Sequence, residues 1–183
     1  NLRQVSPSTS GERYLTALVA LAASQRVGVD ALVYPEQQEL LGVNNRLQLA
    51  CVEAIARQRI REGWMREGVT LIDPPSIFID ATVFLGQDTV VYPNTMLLGN
   101  CRIGANCVLG PGAMIQDTSI GEGCHVNMSV VEGAILKKDV RVGPFSHIRP
   151  GSHLGRGVYV GNYAEVKASR LGRGVKMGHF GYA

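Results

Sequence analysis

From Ile79 onward an aliphatic residue returns at every sixth position, through Leu85, Val91, Leu97, Ile103, Leu109 and Ile115. An α-helix repeats every 3.6 residues and a flat strand every two, so neither accounts for a period of six. Glycine often follows the aliphatic residue, as in Leu85-Gly86, Ile103-Gly104, Leu109-Gly110 and Ile120-Gly121. Together these features are the signature of a parallel β-helix of hexapeptides, each supplying one short strand and one corner, with three to a triangular coil of about 18 residues. The aliphatic residue is expected to point into the prism and stack on its equivalents in neighbouring coils. Gly, Asn and Asp are expected at corners that need a positive φ.

After Ile115 the register shortens to five at Ile120, and it continues through Val126, Val131 and Leu136. It resumes at six through Val142, Ile148, Leu154, Val160 and Val166, shortens once to Leu171 and ends at Met177. A β-sandwich with repeating turns is the competing reading, but sandwich strands alternate with period two. The 22 glycines, against four phenylalanines and one tryptophan, agree with short strands and frequent tight corners rather than a helical bundle.

Before the repeat the pattern becomes helical. Asn45 is suited to cap a helix from about Arg46 to Arg66, with Leu49, Val52, Ile55 or Ala56, Ile60 and Trp64 on one stripe and Gly68 at its stop. Upstream, Tyr14 to Ala23 reads as another helix and Ala31 to Tyr34 as a short strand.

The net charge of +3 is small and its basic residues are dispersed, which argues against a nucleic-acid partner. No apolar run approaches the roughly 18 to 20 residues of a membrane span. The four cysteines form no CxxC pair and no signal peptide precedes them, so free thiols in a reducing cytoplasm are expected. The chain starts at Asn1 without Met and stops at Ala183 in mid-pattern, and we expect a piece of a longer protein.

Arg149 and Lys167 each follow an inward aliphatic residue and lie 18 residues apart, so they are expected on one edge of adjacent coils. With strands about 4.8 Å apart, two such charges repel by about 1 to 3 kcal/mol. Either the long side chains splay into solvent, or an anion between them turns repulsion into attraction, with Arg suited to a bidentate phosphate contact. His179, two positions past Met177, is expected to face outward near the same end, close to Tyr182. Beside a phosphate site it is a candidate general base, since an ordinary histidine pKa near 6.5 suits proton removal at neutral pH. His125, His147 and His153, at gaps of 22 and 6, fall on no shared edge and do not read as a zinc triad. Cys101 and Cys107 read as small corner residues.

The strings Val142-Gly-Pro-Phe-Ser-His-Ile-Arg-Pro-Gly151, Val160-Gly-Asn-Tyr-Ala-Glu-Val-Lys167 and Lys176-Met-Gly-His-Phe-Gly-Tyr182 closely resemble a known family. It is that of the bifunctional N-acetylglucosamine-1-phosphate uridyltransferase/glucosamine-1-phosphate acetyltransferases. Gly11-Glu-Arg-Tyr-Leu-Thr16 resembles that family's sugar-site motif, and Leu41-Gly-Val-Asn-Asn-Arg46 its segment at the domain junction. The resemblance implies a left-handed parallel β-helix over residues 71–183, a linker helix over 46–70, and the C-terminal remnant of an α/β nucleotidyltransferase domain over 1–45.

It further implies that Arg149 and Lys167 hold the sugar phosphate, that Tyr182 and Asn162 contact the same substrate, and that His179 is the base. Tyr14 and Thr16 would line the N-acetylglucosamine pocket, and Asn44 would be a Mg2+ ligand. The implied reactions are acetyl transfer from acetyl-CoA to glucosamine-1-phosphate, then uridylyl transfer from UTP to N-acetylglucosamine-1-phosphate, in a cytoplasmic homotrimer. Arg13, Ala17, Ala168, Phe180 and Gly181 depart from the family's usual residues, and none removes a group given a role. The chain lacks a Gly-rich phosphate loop and an acidic partner for Asn44, so by itself it is expected to be inactive. A sugar-nucleotide pyrophosphorylase whose β-helix serves only oligomerisation or regulation is the alternative, as is a purely structural β-helix.

Overall fold

The computed structural model describes residues 5–183. The chain forms two compact units, one ending at Leu41 and the other spanning Gly42–Ala183. In the first, α1 runs Ala17–Ser24, three residues later at its start than expected. Tyr14 lies outside it and only its carbonyl accepts from Ala17 N–H, at 3.1 Å. Residues 31–34 form no strand. A strand needs a hydrogen-bonding neighbour, and none pairs with this segment among the described residues, where Leu32 is 92% exposed.

In the second unit α2 spans Arg46–Arg66, with Asn45 Oδ1 accepting from Gln48 N–H at 2.9 Å and Gly68 following at φ +87°. Only its C-terminal half is packed. Ile60 and Trp64 lie against the core, Trp64 meets Phe84 edge-to-face at 5.7 Å, and Arg57 sits over the Phe78 ring at 4.3 Å. Leu49, on the expected stripe, is exposed.

The remainder is a solenoid of three parallel sheets that the chain visits in turn. The first face stacks β1 (Thr70–Leu71), β4 (Val90–Val91), β7 (Val108–Leu109), β10 (His125–Val126), β13 (Arg141–Val142), β16 (Tyr159–Val160) and β19 (Lys176–Met177). The second stacks β2 (Phe78–Ile79), β5 (Met96–Leu98), β8 (Met114–Gln116), β11 (Val130–Glu132), β14 (His147–Ile148) and β17 (Glu165–Val166). The third stacks β3 (Phe84–Leu85), β6 (Arg102–Ile103), β9 (Ser119–Ile120), β12 (Ile135–Leu136), β15 (His153–Leu154) and β18 (Arg170–Leu171).

Every aliphatic residue of the hexapeptide series from Ile79 to Val166 is buried, and Leu171 and Met177 pack against the same core. A second inward row lies two positions earlier, filled by small or β-branched residues such as Val83, Thr89, Ala113, Ser146 and Ala164. Cys101, Cys107 and Cys124 belong to this row and are fully buried, so they are interior residues rather than corner residues. Most side chains of this row are short, Ile77 in the first coil being the largest.

Of the glycines that follow the aliphatic residue, Gly110 and Gly143 stand at the expected positive φ, +91° and +100°, whereas Gly86, Gly104 and Gly121 have a different cause. A Cβ at Gly104 would stand 2.7 Å from the backbone nitrogen of Glu122 in the next coil, so close stacking excludes any side chain there. Positive φ falls further along the corner, at Asp88, Asn106 and Asp139 between the third and first faces. Between the first and second faces it falls on Met128, Phe145, Tyr163 and Phe180.

Candidate active site

Two columns of side chains run up the second face near its C-terminal end. His147, Glu165 and Tyr182 occupy the outward strand position in successive coils, Tyr182 bridging Glu165 beyond the last named strand. Glu132, Arg149 and Lys167 occupy the position after the inward residue. Arg149 N–H donates to Val166 O at 2.8 Å, and Lys167 N–H to Ala183 O at 2.7 Å. The two cations therefore stand one coil apart on one edge, as their 18-residue spacing requires.

The columns are tied diagonally. Glu132 Oε2 lies 2.8 Å from His147 Nε2, and Arg149 Nη1 donates to Glu165 Oε1 at 2.8 Å. Lys167 and Tyr182 hold the next diagonal position, and the Lys167 ammonium makes no ion pair among the described residues. The hydrogen bond that Arg149 donates to Glu165 holds its guanidinium pKa above the ordinary value, with the charges of Glu165, Tyr182 and Glu132 acting in the same direction. Glu165 is the residue that spacing alone passes over. Its signal is present in the sequence, since it directly precedes inward Val166 and so faces outward beside Arg149.

His179 and Asn162 lie elsewhere, at the corner between the first and second faces. Phe180 N–H donates to Asn162 O at 3.2 Å, which stacks the two corners directly. The imidazole of His179 is exposed and covers Gly161, its Nδ1 being 3.0 Å from where a Cβ on that glycine would stand. Beside it Phe145, Tyr163 and Phe180 form a ladder of exposed rings, with successive centroids 5.3 Å apart and planes 19° and 7° from parallel. Each ring belongs to a residue at positive φ, a backbone state costing such residues about 1–2 kcal/mol. Stacking returns about 0.5–1.5 kcal/mol per pair.

The structure thus brings Arg149, Lys167 and Tyr182 onto one face and places Asn162 and His179 at its near corner. Tyr14 and Thr16 lie in the other unit, where Thr16 precedes α1 without a side-chain cap. Asn44 stands just before α2, its N–H donating to Gln48 Oε1 at 2.7 Å. Mg2+ takes six oxygens in octahedral geometry, several of them water, and is anchored by about one or two carboxylates with substrate phosphates. Asn44 offers one neutral oxygen, and among the described residues no group of three His, Cys, Asp or Glu is placed to hold a metal. These residues do not make up a magnesium site by themselves. His125, His147 and His153 stand on the first, second and third faces respectively.

Residues 82–117 and 133–168 match the family described as bacterial transferase hexapeptide (six repeats). The chain is 41% identical over 175 residues to the bifunctional protein GlmU of Shouchella clausii, covering 96% of this chain and 38% of that protein. It is 41% identical over 182 residues to GlmU of Heliobacterium modesticaldum, covering 99% and 40%. It therefore spans about two-fifths of the length of the curated relatives it matches. Among solved structures, perosamine N-acetyltransferase from Caulobacter crescentus in complex with CoA and GDP-perosamine gives a TM-score of 0.44 at 18% identity, covering 66% of this chain and 59% of that one.

Proposed function

Because the chain belongs, over the stretch it covers, to the family of the bifunctional GlmU proteins, we propose that its solenoid carries an acetyl-transfer site acting on glucosamine-1-phosphate in UDP-N-acetylglucosamine synthesis. The observation that carries this reading is the pair of cations on adjacent coils, Arg149 and Lys167, facing Tyr182 with one carboxylate, Glu165, between them. With Glu132 beside His147 and Glu165 on Arg149, Lys167 is left without an ion pair among the described residues, and a phosphate is held by it as a point charge and by Arg149 through a bidentate contact.

The sugar then lies across Tyr182 toward the corner, where Asn162 and His179 meet its amine. Neutral His179 accepts a proton from the amine as the nitrogen attacks the acetyl-CoA thioester carbonyl. The C–N bond forms, the C–S bond breaks, and CoA leaves as the thiolate, which recovers a proton. No covalent acyl-enzyme is required.

The rest of the reading follows from the resemblance. Residues 1–45 are proposed as the end of a nucleotidyltransferase domain and 46–70 as a linker. Tyr14 and Thr16 are proposed at an N-acetylglucosamine pocket, and Asn44 as one ligand of a Mg2+ site for uridylyl transfer from UTP, testable by Asn44→Ala, which should lower that activity alone. A cytoplasmic homotrimer is the proposed assembly, which light scattering on the full-length protein reads directly. No helix among the described residues is long and apolar enough to cross a membrane.

The deciding experiment separates binding from proton transfer in the full-length protein. Arg149→Ala and Lys167→Ala should raise the KM for glucosamine-1-phosphate about tenfold or more, the scale of one lost charged hydrogen bond. His179→Ala should lower kcat about 10²- to 10⁴-fold and remove the pH limb that reports histidine deprotonation. Wild-type kcat in the His179 variant with both substrates bound would refute the base assignment. Wild-type KM in both cation variants would refute the clamp and favour a β-helix used only for assembly.

A further inference from the structure

On the third face a groove of about 290 Å³ is bounded by Lys137, His153 and Arg170, with Gly155 and Gly172 in its floor. Ile135, His153 and Arg170 occupy the outward position of successive strands β12, β15 and β18. Lys137, Gly155 and Gly172 occupy the position after the inward leucines of the same strands. Coil stacking accounts for Gly155, where a Cβ would lie 2.8 Å from the backbone nitrogen of Arg173, but not for Gly172, where it would meet nothing within 4 Å. It does not account for the basic side chains. An outward strand position accepts many residue types, and earlier coils of this face carry Phe84, Arg102 and Ser119 in the same column.

No carboxylate lines the groove. The two acids at the adjoining corner are already engaged, Glu122 by Lys138 and Asp139 by Arg156. Among the described residues, the side chains of Lys137, His153 and Arg170 make no hydrogen bond or ion pair. The unpartnered Lys137 and Arg170 cations repel one another across the concavity, and an anion between them reverses the sign of that interaction.

We propose that this groove is a second anion site, binding the phosphate group of a small phosphorylated molecule. Arg170 supplies a planar pair of donors, Lys137 a point charge, and His153 a ring N–H between them. The absent side chain of Gly172 leaves its backbone open to the ligand, whereas the place of a Gly155 side chain is taken by the next coil. The site lies on a different face from Arg149 and Lys167 and does not rest on the acetyl-transfer reading.

Isothermal titration of the chain with inorganic phosphate and with pyrophosphate, at constant ionic strength, tests it. A saturable component that persists in an Arg149→Ala/Lys167→Ala background, where the cation pair of the second face no longer contributes, is expected. Arg170→Gln and Lys137→Gln should each weaken it about tenfold or more, as for a lost hydrogen bond between charged groups. Arg102→Gln removes the same charge from the same face outside the groove and should change affinity less than about twofold, since exposed charges at a distance are screened. Tighter binding of pyrophosphate would assign a diphosphate-bearing ligand, and equal or tighter binding of phosphate a phosphomonoester. Absence of saturable binding, or equal weakening by Arg102→Gln, would overturn the proposal. Far-UV spectra establish that each variant is folded; should Arg170→Gln not fold, Arg170→Lys, which keeps the charge and loses the fork, reads the same contact.

Discussion

Thr95 shows how a single atom departs from the pattern around it. Its hydroxyl is buried and has no hydrogen-bond partner among the described residues. Its counterparts in the second inward row donate to carbonyl oxygens, Thr89 to Gly104 at 2.9 Å, Thr118 to Gln116 at 2.7 Å and Ser146 to Gly161 at 2.6 Å. An unpaired buried hydroxyl costs about 1–3 kcal/mol, so Thr95→Val, which puts a methyl in its place, should stabilise the chain by about 1 kcal/mol. Thr118→Val should destabilise it by a similar amount, because there a bond is lost. Opposite shifts of the urea midpoint are the expected result, and shifts of the same sign would contradict it. The row itself is not legible in the sequence, because Thr, Ser, Cys and Ala two positions before an aliphatic residue look like corner residues until the prism shows that two positions per hexapeptide point inward. Likewise the 18-residue spacing places Arg149 beside Lys167, whereas its bond to Glu165 depends on side-chain direction.

At the scale of the hexapeptide, glycine after the aliphatic residue is a steric requirement between coils at Gly86, Gly104 and Gly121. Gly104→Ala would drive a Cβ to 2.7 Å from the Glu122 nitrogen, and overpacking of this kind costs about 1–3 kcal/mol. Gly172 occupies the equivalent position, yet a Cβ there would meet nothing within 4 Å, so Gly172→Ala should change stability by less than about 1 kcal/mol. Denaturation midpoints of the two variants in the same chain make the comparison, and equal losses would show that conformational freedom rather than contact dictates these glycines. The helix α2 is legible to its termini, since capping and periodicity are local. Its half-packed face is not, because the stripe continues past the point where the solenoid ends as a surface to bury it. The segment 31–34 is the converse case, a strand-like composition without a neighbour to pair with.

Over the whole molecule the interior controls the chemistry of the thiols. Cys51 is exposed, while Cys101, Cys107 and Cys124 are buried. Burial raises the Cys101 pKa, and the neighbouring Cys107 thiol together with burial raises that of Cys124, while the Cys107 pKa is lowered by Cys124. A raised pKa means less thiolate at neutral pH, which compounds the lack of access. A disulfide reagent should therefore label one thiol rapidly in the native chain and the other three only as the solenoid opens, with all four reacting at once in denaturant. Rapid labelling of two or more native thiols would contradict the structure. The sequence by itself determined the solenoid, its register and the coil-to-coil neighbours, because a period of six is enforced at every coil by burial of one aliphatic residue. Only the tertiary structure decided which surface groups act together. It paired Arg149 with Glu165, set His179 and Asn162 at the corner rather than on the edge that carries Arg149 and Lys167, and gathered Lys137, His153 and Arg170 around one groove. Those relations depend on corner geometry and side-chain direction, which spacing along the chain does not encode.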